Sequence, residues 1–291
     1  MRRLILATGA ALAAAPANAH DQHGHAVGWT FGPEVTVPLL ATLALYLAGL
    51  ARLHSRAQRD RSKRQARAWR FLAGWVILAA ALVSPLHEAG EASFALHMIE
   101  HETIMLPAAL LLVAARPGSV LLWGLPASGR LLLAPVIRLP IWRALGAPFT
   151  ATALQALALI AWHMPALFDR ALRSEAWHVA QHLSFIVTAL LFWRAMLPAG
   201  ARRESSYSAA LCLFATSMLG GGLGALMALD SSPWYAGYAA MGTTPFGLSP
   251  AEDQQLAGLI MWIPGGLFHL AAALVLLGLA LGQPQKVSTT A

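Results

Sequence analysis

A single cysteine, Cys212, stands in 291 residues. No disulfide can close within the chain, and neither a CxxC redox pair nor a cysteine zinc site can be assembled. Lying in an apolar run, Cys212 reads as a small packing residue. Charge is scarce as well. Only 11% of the residues are Asp, Glu, Lys or Arg, which leaves apolar runs of about 18 to 25 residues, long enough to cross a bilayer as helices. The runs lack the period-two alternation of barrel strands, and helices are the other structure that satisfies its own backbone in lipid. Acidic residues are scarcest, 13 against 20 Lys and Arg, for a net charge of +7. On a soluble chain that excess suggests nucleic acid. Here it is confined to loops, where it records orientation in a membrane, and no nucleic-acid partner is expected.

These exclusions leave an all-α polytopic transmembrane bundle. The first residues, MRRLILATGAALAAAPANA, read as a signal peptide over 1–19: Arg2 and Arg3, an apolar stretch from Leu4 to Ala15, and an A-x-A site at Ala17-Asn18-Ala19. An uncleaved anchor is the alternative, and both put His20 and the residues after it outside the cytoplasm. A His-rich leader occupies 20–33, a membrane domain 34–283 and a tail 284–291. Seven spans are expected at about 34–52, 69–84, 93–115, 149–165, 177–197, 206–229 and 254–281. The apolar segment 117–140 is broken by proline and Arg130 and reads as interfacial or re-entrant. With the N-terminus outside and the C-terminus inside, sixteen Lys and Arg fall on the cytoplasmic side, eight of them in RLHSRAQRDRSKRQARAWR. The opposite side holds only Arg170 and Arg173, so the positive-inside rule supports this orientation; a lipid or partner patch is the other reading of the basic loop. No internal repeat is visible, which withholds support from a transporter built of inverted repeats. Multi-pass insertion in a bacterial inner membrane is expected.

LHMIEHETIM, residues 96–105, places ionisable groups where a spanning helix should carry leucine. Such residues are costly in lipid and usually face a bundle interior, a cavity or a ligand. His97 and His101 are four apart and share a helix face, which Met105 continues. His178 and His182, in WHVAQH, form a second such pair. His163 ends the fourth span. These five histidines, from three spans, fall in one leaflet; His87 is placed in the loop before the third span, His54 in a cytoplasmic loop, and His269 deep in the seventh span as a polar packing residue. Two pairs on neighbouring helices suit imidazole ligation of copper or zinc, and thioethers bias the choice toward Cu(I). An interhelical hydrogen-bonded pair explains one H-x-x-x-H equally well. HMIEH also matches H-x-x-E-H, the inverted zinc-protease motif, with Glu100 as general base. Otherwise Glu100 and Glu102 are expected to pair with charges or to contact the outer surface.

The leader's HDQHGH adds His20, His23 and His25; cleavage before His20 would join its amine to its imidazole as a metal chelate, and a disordered polar leader is the alternative. The loop 230–253 contains PWYAGY, suited to a lid at the membrane surface. Asp253 opens the seventh span, either as a cap or as a ligand, and Met261 lies two turns further in. LGGGLGAL in the sixth span reads as close helix packing.

LHMIEH followed by Met105, AWHMPALFDRAL, WHVAQHLSFIVTALLFW and DQQLAGLIMWIPGG resemble, in order and spacing over about residues 35–280, the membrane assembly factors of caa3-type cytochrome c oxidases. The resemblance implies a seven-span fold and a role in maturing a copper-containing oxidase by handling copper at the periplasmic leaflet. It carries onto His97, His101, His163, His178 and His182, and further onto Asp169, Asp253, Met105 and Met261. Glu100 departs from the Gln common there, Glu102 from an apolar residue, and the His-rich leader is additional. The expected function is therefore non-enzymatic copper handover, with oxidase subunits and a periplasmic copper donor as partners. A bis-histidine haem protein, a copper transporter and the protease are the competing readings. Only His269 and Met196 lie beyond the outer half, which counts against transport.

Overall fold

The computed structural model describes residues 28–56, 61–197 and 203–282. The signal peptide, His20, His23, His25 and the tail lie outside them. No strand occurs among the described residues, and helix follows helix. α1 (Pro33–Arg56) and α2 (Arg61–Val83) are followed by a short α3 (Pro85–Ala92). α4 (Phe94–Thr103), a π turn (Ile104–Ala108) and α5 (Ala109–Ala114) form one continuous span. Three short helices come next: α6 (Gly118–Gly124), α7 (Ala127–Ile137) and α8 (Ile141–Leu145). α9 (Pro148–His163) bends into α10 (Pro165–Arg173), and α11 (Glu175–Met196), α12 (Arg203–Leu229), α13 (Ala236–Met241) and α14 (Pro250–Leu281) complete the chain.

Six of these helices are long and apolar enough to cross a membrane. A seventh crossing needs α9 and α10 taken together, across a 73° bend. The bend falls where Pro165 follows Met164: proline disfavours helical backbone in the residue before it, and Met164 is extended at φ −68°, ψ 127°. α2 begins eight residues before the expected limit, because Arg, Lys, Gln and Ala of its first turns favour helix although they are too polar for lipid. The segment 117–140 holds two short helices, α6 and α7, and not a span, as proline and Arg130 suggest.

Apolar side chains on the outside of the bundle, Leu157, Leu183, Leu211, Leu226, Leu267 and Leu274 among them, are more than half exposed. On a soluble protein such a belt would aggregate; on this one it is the surface that lipid covers. Inside, Phe94, Phe168, Phe185, Phe192, Trp193, Met196 and Leu213 make the core between α4, α10, α11 and α12. α12 and α14 pack backbone against backbone. A Cβ on Gly224 would stand 2.6 Å from the Gly258 carbonyl oxygen, so only glycine permits this approach. The glycine run of the sixth span is indeed a packing seam.

The span carrying LHMIEHETIM changes pitch just past its histidines. The Ala109 amide donates back to Ile104 rather than to Met105, which releases the Met105 carbonyl. Trp193 Nε1–H takes it at 2.8 Å. Pro107 has no amide to offer the regular ladder and lies in the same turn. Such π turns recur at functional sites.

Candidate metal centre

The first helical turns fix where the imidazoles go. Ser84 caps α3, its hydroxyl accepting from the Leu86 amide, and Pro85 opens the helix. This lays His87 back over the start of α4. Ser93 caps α4 in turn. The Asp253 carboxylate, from the first turn of α14, accepts from the Ser93 hydroxyl at 2.8 Å, the Phe94 amide at 2.6 Å and the Ala95 amide at 3.3 Å. An anion on the free amides of a helix N-terminus is favourable in both charge and hydrogen bonding. Asp253 is thus a cap, but of another span, and it ties α4 to α14 one turn from His97.

Five histidines from α3, α4 and α11 gather at this end of the bundle. The ring centroids of His97 and His101 are 4.2 Å apart, and those of His178 and His182 4.5 Å. Across the helices, His101 meets His182 at 5.1 Å and His97 meets His178 at 5.5 Å. His87 stands 5.2 Å from His178 and 5.6 Å from His182. One ring nitrogen from each of His87, His178 and His182 lies within 4.8 Å of the others, a spacing that a metal ion can close.

Glu100 is the anion of the cluster. It is fully buried, and its Oε1 lies 2.7 Å from His87 Nδ1. His182 Nε2 is 3.3 Å from the same oxygen, without the alignment of a hydrogen bond. Burial alone would lower the His87 pKa; the Glu100 hydrogen bond, with the charges of Glu100, Glu91 and Glu88, outweighs it and raises the pKa above the ordinary histidine value.

The remaining donors are unmatched. His97 Nε2, both nitrogens of His101, and Nε2 of His163, His178 and His182 are buried without a hydrogen-bond partner, as is Glu100 Oε2. Buried polar atoms in folded proteins are almost always paired. Lone-pair donors in this number near one carboxylate could hold a cation, and imidazole with a single carboxylate suits copper or zinc.

A roof closes the cluster. Tyr238 donates to the Gly90 carbonyl at 2.6 Å and Tyr235 to the His163 carbonyl at 3.1 Å. Burial pushes both phenols above their ordinary pKa, reinforced by neighbouring carboxylates, so both stay neutral donors. Phe168 lies edge-on to His97 at 5.3 Å. Asp169, on α10, accepts from the Gly237 amide at 3.0 Å and so holds α13 down. Within PWYAGY, Tyr235 and Tyr238 are the buried members, turned in toward the cluster's edge at Gly90 and His163.

The structure therefore brings together His97, His101, His178 and His182 and adds His87. His163 is buried, with Nδ1 on the Leu159 carbonyl at 2.8 Å and Nε2 free. Asp253 is engaged in capping. Met105 and Met261 line a separate cavity with Gln155, Glu102 and His269. Glu102 forms no ion pair with another described residue, and its Oε2 is buried without a partner. The serine–proline pair at 84–85, a helix-start signal, is the sequence feature that points to His87.

An all-helical membrane bundle with a closed imidazole cluster at one end is the class that this fold and site define. Within it, the chain belongs to the cytochrome c oxidase caa3 assembly factor family, whose model matches residues 44–281. Comparison with curated proteins and with solved structures gave no match.

Proposed function

We propose that the protein binds copper at the His87, His97, His101, His178 and His182 cluster and passes it to a cytochrome c oxidase subunit. The observation that carries this reading is the set of buried, unpartnered ring nitrogens around Glu100. Copper is cargo here. Exchange among imidazoles needs no acid–base chemistry, so the action is handover and not catalysis. Glu100 offsets one unit of the metal's charge, and the lid keeps water from competing for it. His163 and its free Nε2 extend the donor set toward α9.

The cluster sits where α4, α11 and α14 begin. The positive-inside bias of the loops puts that end on the periplasmic side of a bacterial plasma membrane, with the C-terminus inside. Copper then arrives from a periplasmic donor, first meeting the leader's His20, His23 and His25 once the signal peptide is removed.

Cells lacking the protein should assemble oxidase that is depleted in copper and oxidises cytochrome c poorly. Wild-type protein should restore it, and His97→Ala/His101→Ala should not. Full copper loading of the oxidase in its absence would overturn the reading.

A further inference from the structure

A second cluster of metal-binding groups lies deeper in the bundle, away from the imidazoles. It surrounds a cavity of about 30 Å³ lined by Glu102, Met105, Gln155, Met261 and His269. That is room for one small occupant. Met261, Gly265 and His269 fall four apart on α14 and so present one face. Gly265 has no side chain between the other two, and the Glu102 carboxylate fills that place: a Cβ there would stand 2.7 Å from Glu102 Oε2. His269 Nδ1 is 2.8 Å from the Gly265 carbonyl, which fixes the ring and leaves Nε2 for another partner. Gln155 Nε2 lies 3.4 Å from Met105 Sδ, and Gln155 Oε1 is buried and unpartnered. The π turn helps to define this place, since it carries Met105 and is locked by Trp193, whose ring stacks on His269 at 5.9 Å.

An ionised carboxylate is costly in an apolar interior without a counter-charge. Glu102 has none among the described residues, and a bound cation would remove the cost. The donors name the cation. Two thioethers and an imidazole favour a soft ion, Cu(I) over Zn(II) or a hard cation. Charge agrees: one carboxylate neutralises a monovalent ion, whereas a divalent ion would leave a net positive charge in low dielectric.

We infer that Glu102, Met105, Met261 and His269 form an inner Cu(I) site, a second station for copper beyond the histidine cluster. Its choice of metal rests on the copper reading above; its geometry does not. Gln155 orients Met105 and faces the bound ion with its carbonyl oxygen.

The test is an anaerobic Cu(I) titration of the purified full chain against a chromophoric Cu(I) chelator, with copper-edge X-ray absorption of the loaded protein. Wild type should take about two Cu(I) per chain, part of it bound by sulfur. Met105→Leu/Met261→Leu, which conserves core volume, should lose one equivalent and the sulfur scattering while keeping the other. Glu102→Gln should weaken the sulfur-bound copper by about 10-fold or more. His97→Ala/His101→Ala should lose the equivalent that has no sulfur ligand, and keep the sulfur scattering. Wild-type copper without sulfur ligation, or full stoichiometry and affinity in the methionine variant, overturns the inner site and leaves the histidine site standing. Failure of wild type to bind any copper overturns both.

Discussion

Glu100 is the residue on which the histidine cluster depends for charge. Glu100→Gln keeps its shape and removes the anion, so copper affinity should fall about 10- to 100-fold with helix content unchanged; competition titration and circular dichroism check the two halves. His87→Ala should weaken copper binding comparably, because it removes one of the three rings whose nitrogens converge. Unchanged affinity in His87→Ala would return the centre to α4 and α11 alone. His97, His101, His178 and His182 were legible in the sequence because i, i+4 spacing in an apolar helix leaves little choice of face. His87 was not, since only tertiary packing folds α3 back over α4. Met105 was legible as a potential donor but not in its place. Four residues beyond His101 should continue that stripe on a regular helix, and the π turn starting at Ile104 shifts the register between them.

Two helix-level devices hold the centre in shape. The first is Asp253 on the amides of α4. Asp253→Ala leaves buried donors unpaired and should cost about 1–3 kcal/mol of stability, read as a lower unfolding temperature in detergent. Copper stoichiometry should survive, because a cap is not a ligand; loss of copper from a folded Asp253→Ala protein would instead give Asp253 a direct role. The second is the glycine seam of α12 and α14. Gly224→Leu should force these helices apart and sharply reduce the yield of monodisperse protein, measured by size-exclusion chromatography. The seam was readable from LGGGLGAL, as were the span limits to within a few residues. The length of α2 and the bend at Pro165 were read less well. Both reflect conflicts of local preference, polar residues that still favour helix in one and a proline inside an apolar run in the other.

At the scale of the molecule, hydropathy alone gives the architecture, and charge bias gives the expected orientation. Fusions placed after residue 282 should report a cytoplasmic end, and a cysteine introduced in the 231–249 segment should be labelled from the opposite side; the reverse pattern would refute the orientation. The family match sets the process, oxidase assembly, and the buried unpartnered nitrogens are the observation from which copper binding within it is proposed. The most direct test is metal analysis with an absorption spectrum of the purified protein, beside His97→Ala/His101→Ala. Copper in the wild type, falling by one equivalent in the variant, with no Soret band in either, is the predicted result. Copper content indifferent to the substitution, or a Soret band lost with the histidines, would contradict it.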